Sequence, residues 1–327
     1  MRWQVLVAAI LLASPAAARP PREHADFWRE VIEPNNVEVA ALLDKANRVM
    51  KAPDDALAAD QDFAVDQRMR FYRDAYNLLR YARKLSPESV EVLAKLGRAA
   101  DEIGKTAEAI EALETCVRVA GPDKAGPAVT GRLGAIYLRL EKYDAAVRWL
   151  RYAQGALTPD SAPALVHLAN ALAARGETTS AIDTLSNVIP VQSAGPFEGP
   201  LALVGFGLAV VYDRDEQRSA AFDVLDHMQS ATQAEYGKNV QAELARMRFA
   251  PAADRHYYQA LLYESLNHYV EARAEWALYA ASGDLTWRGR ALDHIAAIDG
   301  GRRAGPPRPL APGTVAPPVL HRKIPRP

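Results

Sequence analysis

The side chains able to do chemistry are scattered along this chain. The seven histidines are His24, His167, His227, His256, His268, His294 and His321. No two stand at the spacing, with a glutamate between them, that seats zinc on one helix face. Cys116 is the only cysteine, so the chain has no internal disulfide and no thiolate cluster. His256-Tyr257-Tyr258 sets an imidazole beside two phenols, a combination able to move protons. Asp213 and Asp215 lie at the end of a helical stretch, where solvated acids are ordinary. Gly205-Phe206-Gly207 begins like a dinucleotide fingerprint, but Leu208, Ala209 and Val210 follow, and the stretch falls inside a helix, not after a strand. Neither a Gly-x-Ser-x-Gly elbow nor a phosphate loop occurs. The expectation is a non-enzyme with no catalytic residue, no metal and no cofactor.

The apolar pattern says what must position these residues. Leu93, Leu96, Gly97, Ala109, Leu113 and Cys116 are followed one unit later by Leu133, Gly134, Tyr137, Ala146, Leu150 and Ala153. Small residues recur between large ones because paired helices approach closely only where one of each facing pair is small. The pattern continues through Leu165, Leu168, Ala169, Leu172, Ala181 and Leu185, then Leu208, Ala209, Tyr212, Ala221 and Leu225, then Ala260, Tyr263, Ala272 and Trp276. Gly104-Lys105, Gly121-Pro122 and Gly176-Glu177 mark turns between helices. One such unit cannot bury its apolar face alone, so neighbours must stack.

This arrangement resembles the tetratricopeptide repeat family, built from helix–turn–helix units of about 34 residues. The resemblance implies an all-α, right-handed α-solenoid of about six units with a C-terminal capping helix. Residues 37–89 are a degenerate first repeat with an insert between its helices, Asn36 as N-cap and Pro53-Asp54-Asp55 as a turn. Residues 90–299 are the solenoid proper, capped by the helical spacing of Trp287, Ala291, Ile295 and Ile298. A second insert, 236–251, separates the fifth and sixth units and is helical over 240–247.

The ends differ in character. Arg2, the apolar residues 5–13 and Ala16-Ala17-Ala18 read as a signal peptide over 1–18, too short to cross a bilayer. Residues 19–36 are a lead-in with a short helix. Residues 300–327 are rich in proline and basic, and should be disordered. No cysteine follows the apolar core to take a lipid, and no other segment is apolar enough to span a membrane. No Asn-x-Ser/Thr sequon occurs, which leans towards a bacterial envelope. Lys plus Arg is 39 and Asp plus Glu 40, a balance that argues against nucleic acid as the ligand. The expected location is periplasmic or secreted.

In tetratricopeptide domains the concave face, lined by the first helix of each unit, takes peptides, and the resemblance implies the same use here. Inward positions include Asp101, Arg139, Val166, Asn170, Phe206, Val210, Asp213, Arg214, Tyr257 and Leu261. Val166, Asn170, Phe206, Val210, Tyr257 and Leu261 are expected to hold an apolar peptide or helix, with Asn170 fixing its backbone, and Arg139 and Arg214 are further candidates for peptide binding. Asn170 matches the asparagine of the family's carboxylate clamp. Val166 stands where its lysine should be, and Gly207, Asp254 and Tyr258 replace the other cations and amides, so the clamp is absent. Alternatively, the insert 236–251 folds over these residues. The expected function is an exported scaffold or adaptor for a protein or peptide partner within a bacterial envelope assembly. The alternative is an accessory subunit recruiting a cell-wall or outer-membrane assembly enzyme. The oligomeric state is open.

Overall fold

The computed structural model describes residues 34–58, 65–155, 157–159, 161–189, 196–283 and 285–301. The segment 1–18 expected to be a signal peptide, the lead-in up to residue 33 and the tail from 302 onward lie outside the described residues. Every regular element among the described residues is a helix. Helices α1 (Pro34–Ala58) and α2 (Val65–Leu85) pair, followed by α3 (Val90–Glu102) with α4 (Thr106–Ala120). A single turn, α5 (Pro122–Ala125), precedes α6 (Pro127–Arg139) with α7 (Tyr143–Tyr152), then α8 (Ala162–Ala174) with α9 (Thr178–Ser186). Next come α10 (Pro200–Arg214) with α11 (Arg218–Thr232), the insert helix α12 (Tyr236–Arg246), and α13 (Asp254–Ser265) with α14 (Tyr269–Ala281). Helix α15 (Arg288–Asp299) closes the array on α14. The molecule is an all-α solenoid of six paired units with a capping helix. First helices neighbour one another, α3 on α6, α6 on α8 and α8 on α10, and so build one continuous face.

The same local devices repeat. In α3 the Ser89 hydroxyl accepts from the Val92 N–H, while Pro127 and Pro200 start their helices where a missing N–H costs nothing. Five first helices end in one motif. The second residue past the helix turns left-handed, at Gly104, Glu141, Gly176, Glu216 and Asn267, with φ between 57° and 80°. The next amide then reaches back over the last turn: Lys105 to Ala100 O, Lys142 to Tyr137 O, Glu177 to Leu172 O, Gln217 to Tyr212 O and His268 to Tyr263 O, at 2.8–2.9 Å. This satisfies carbonyls that the helix end would orphan.

Within units the small positions act as expected. A Cβ on Gly97 would lie 2.5 Å from Leu113 Cγ, and one on Gly134 would lie 2.4 Å from Leu150 Cγ. Cys116 is buried in the same layer. Two apolar cores result, one from Val39 to Ile136 and one from Leu138 to Ala291, and Tyr137 packs against both.

Two local expectations fail in the first unit. Pro53 is not a turn but sits inside α1, and Asn36 lies within the first turn of that helix, which starts at Pro34. A mid-helix proline removes one backbone hydrogen bond. Here Met50 and Pro53 are both buried and α1 packs along α2, so tertiary contact overrides the breaker.

Candidate partner-binding groove

The face built by the first helices is filled by the chain itself. Helix α12 ends at Arg246, Met247 is extended (φ −75°, ψ 131°), and residues 247–251 run as a strap along the inner helices. Arg248 donates from Nη1 to Asp101 Oδ2 at 2.8 Å and from Nη2 to the Asp101 carbonyl at 3.0 Å, reaching α3. The Arg248 backbone meets the imidazole of His167 on α8. The Phe249 ring lies 5.2 Å from that of Tyr258 on α13, which in turn lies 6.1 Å from Phe206 on α10. Ala250 and Pro251 form one wall of a cavity of about 80 Å³, with Leu138, Asn170, Tyr279 and Trp287 among the others. Met247, Phe249 and Ala250 are all buried.

At the far end of the strap, two carboxylates take four guanidinium groups. Asp101 accepts from Arg132 at 2.8 Å, from Arg139 and from Arg248. Glu102 accepts from Arg68 and Arg132, each at 3.0 Å, and Arg248 stands 3.4 Å away. Burial alone would raise the Glu102 carboxyl, but the charges of Arg132, Arg248 and Arg68 outweigh it and hold it below the usual range. Burial also lowers Arg139, with Asp101 opposing and Arg248 and Arg132 adding to the fall. His167 is pushed down to about 4, by burial first and then by the charge of Arg139, so it is neutral near pH 7.

A second network joins the last units to the cap. Asp213 accepts from Tyr257 at 2.7 Å and from Arg290 at 2.6 Å, and both of its oxygens lie 3.1 Å from His294 Nε2. Its neighbour Arg214 donates to Asn170 Oδ1 at 3.0 Å, pairs with Asp254 at 3.0 Å and lies 3.8 Å over the Trp287 ring. Tyr258 also donates to Asn170 Oδ1, at 3.2 Å, while Asn170 Nδ2 has no hydrogen-bond partner among the described residues and borders the cavity.

These contacts place the residues expected to line the groove. Val166, Asn170, Phe206, Val210, Tyr257 and Leu261 are at most 5% exposed, and Arg214 is 6% exposed. Arg139 is half-buried on Asp101. The structure joins Asn170 directly to Arg214 and sets Val166 against Gly207, where a Cβ would meet Val166 Cγ2 at 3.0 Å. The Tyr257 hydroxyl donates to Asp213, and its ring stands edge-on to Trp276 at 4.7 Å. Its neighbour His256 bonds Glu275 on α14 at 2.7 Å, so the histidine and the tyrosine form no joint proton path. Asp213 is not a solvated helix-end acid: it is 2% exposed, because α13 and α15 cover it. Sequence reasoning missed Glu102, Arg132 and Arg248 altogether. Asp101 was legible as an inward charge, but no spacing rule ties it to an arginine 147 residues on.

Among the described residues no three histidine, cysteine or acidic side chains are placed to hold a metal ion, and no helix is long and apolar enough to cross a membrane. What the arrangement can do is grip extended chain, by charge at one end and by aromatic contact at the other.

Comparison with the curated proteins found no match. Three solved structures show limited similarity. A MamA protein has 20% identity and a TM-score of 0.43, covering 61% of this chain and 93% of its own. The pilF protein of Pseudomonas aeruginosa has 11% identity and a TM-score of 0.46, covering 79% and 98%. A tetratricopeptide repeat protein from Parabacteroides merdae has 10% identity and a TM-score of 0.47, covering 80% and 99%. The family model described as tetratricopeptide repeat matches residues 90–122. Those residues span α3 and α4, the pair closed by Gly97 against Leu113, and this unit is similar to a tetratricopeptide repeat.

Proposed function

We propose that this chain is a non-enzymatic, exported scaffold whose concave face binds a protein or peptide partner within a bacterial envelope assembly. One observation carries the reading: an extended segment already lies along the inner helices, held by hydrogen bonds and ring contacts of the kind a bound peptide makes. Of the residues expected to contact a partner, Asn170 shares a cavity with Ala250 and Pro251, Phe206 meets the Tyr258 ring on which Phe249 packs, and Arg139 shares Asp101 with Arg248; Val166, Val210, Tyr257, Leu261 and Arg214 are the further candidates. A partner on this face therefore takes the place of the strap. Export is supported by Arg2, the apolar run 5–13 and Ala16-Ala17-Ala18.

The test is a photo-crosslinking residue at Ala135, half-buried on α6 one turn from Arg132 and Arg139, with the full chain expressed in a bacterial host carrying its natural partners. The expected result is a cross-link to one envelope protein, in a periplasmic or secreted fraction, with the N-terminus beginning after Ala18. Cross-links confined to the chain itself, with a partner still captured through its outer surface, would overturn the groove reading.

A further inference from the structure

Resting on that reading of the concave face, we infer that the strap 247–251 is a built-in ligand and that the partner displaces it with an extended arginine–aromatic segment of the same chemistry. Three acceptors converge on the strap guanidinium: Asp101 Oδ2, the Asp101 carbonyl and Glu102 Oε1. The carbonyl belongs to the last turn of α3, where the helix dipole favours a cation. A planar guanidinium reaches two of these acceptors at once, which an ammonium cannot do with the same geometry. The next residue meets the shelf formed by Tyr258 and Phe206. The site thus reads a guanidinium and then an aromatic ring on consecutive residues.

The strap is also built to leave. When Arg248 withdraws, Asp101 keeps Arg132 and Arg139, and Glu102 keeps Arg68 and Arg132, so neither buried carboxylate is orphaned. Arg248 is the surplus cation: its side chain is 41% exposed and its charge opposes that of Arg139. Both ends of the strap are fixed without it. Tyr236 on α12 bonds Ser265 at 3.1 Å and Asn239 bonds the Phe197 carbonyl at 3.4 Å, while Asp254, at the start of α13, pairs with Arg214. The loop between α12 and α13 can therefore change places with an incoming segment while the helices stay put.

The experiment uses a fluorescein-labelled peptide of residues 244–253, titrated by anisotropy into the intact chain and into an R248A/F249A variant of known circular dichroism and melting behaviour. The expected result is at least tenfold tighter binding to the variant, lost when Arg248 of the peptide, and not its Arg246, is replaced by glutamate. Equal binding to both chains, or binding that survives the glutamate peptide, overturns the inference. If the double variant does not fold, R248A alone, at a half-exposed side chain, serves in its place with the same criteria. A variant that doubles its mass and excludes the peptide would make a second copy the occupant, and this too overturns it. A partner cross-linked at position 135 while the peptide fails to bind sinks the arginine–aromatic motif alone; no cross-linked partner sinks the groove reading beneath it.

Discussion

Arg248 and Asp101 are 147 residues apart, and the guanidinium of one donates to both a carboxylate oxygen and the backbone carbonyl of the other. The pair is asymmetric. Asp101 is enclosed and serves three arginines, whereas Arg248 is 41% exposed and is one donor among four around the two acids. Losing Arg248 leaves every carboxylate paired, so Arg248→Ala should cost about 1 kcal/mol. Losing Asp101 leaves Arg132 and Arg139 partly buried with less counter-charge, and Asp101→Asn should cost about 2–3 kcal/mol. Urea denaturation of the two variants checks the order; equal costs would mean that Arg248 is as integral to the fold as Asp101. Limited proteolysis should also cut Arg248→Ala faster within 247–253, with the helices untouched.

The five left-handed helix ends yield a prediction with a sign. Gly104 and Gly176 occupy that conformation without penalty, but Glu141, Glu216 and Asn267 occupy it with a side chain. A non-glycine residue there is strained by about 1 kcal/mol. Glu216 is exposed, so Glu216→Gly should raise stability by up to about 0.5 kcal/mol once the greater freedom of glycine in the unfolded chain is subtracted. Gly176→Ala should lower it by a similar amount. Thermal melts of both decide the matter, and a Glu216→Gly variant that melts lower would refute the strain argument.

The close approach inside the third unit gives a coupled pair. A methyl at Gly134 would meet Leu150 Cγ at 2.4 Å and the Leu150 backbone nitrogen at 3.1 Å. Gly134→Ala should cost about 1–3 kcal/mol despite the better helix propensity of alanine. Leu150→Ala alone leaves a cavity and costs about 2–5 kcal/mol. The double variant should cost clearly less than the two together, because the new methyl enters the space that Leu150 vacates. Additive costs would show that the clash is relieved elsewhere.

What could be read in the sequence follows the range of the interaction. The helix pairs are set by local periodicity, and the facing of Gly97 on Leu113 repeats at Gly134 on Leu150, so units and cap were legible. Three of the five left-handed turns were not, since Glu141, Glu216 and Asn267 carry no glycine signal. Pro53 misled because packing on α2 outweighs its local penalty. Val166, Asn170, Phe206 and Tyr257 were readable as inward-facing, since that depends on helix phase alone. Whether such a face stays open depends on where a distant insert lands, and residues 247–251 carry no periodicity to announce it. The burial of Asp213 depends in the same way on Arg290, 77 residues away.

The sixth unit and the cap meet at His294, and this contact makes stability depend on pH. Nδ1 of His294 lies 2.8 Å from Glu264 Oε2, Nε2 lies 3.1 Å from both Asp213 oxygens, and the ring stacks on Trp276 at 4.3 Å. The Trp276 indole also donates to Glu264, and Tyr257 and Arg290 donate to Asp213. Burial would lower the imidazole, but hydrogen bonds to Asp213 and Glu264, and then their charges, raise it to about 9. Asp213 moves the opposite way: burial would raise it, and His294 and Arg290 hold it well below the ordinary range. With the folded value above the unfolded one, His294 contributes its full stabilisation below about pH 6.5, and this is lost as pH rises through about 9. The shift corresponds to a contribution on the order of 3 kcal/mol. Unfolding free energy from urea titrations at pH 6, 7.5 and 9 should therefore fall across the series for the native chain. His294→Gln should be less stable at pH 6 and nearly flat over the same range. The two chains should converge at pH 9, because the native imidazole has lost half its advantage or more by then while the glutamine never had it. Parallel profiles would show that the imidazole is neutral in the fold, and that Asp213 is held by Arg290 and Tyr257 without it.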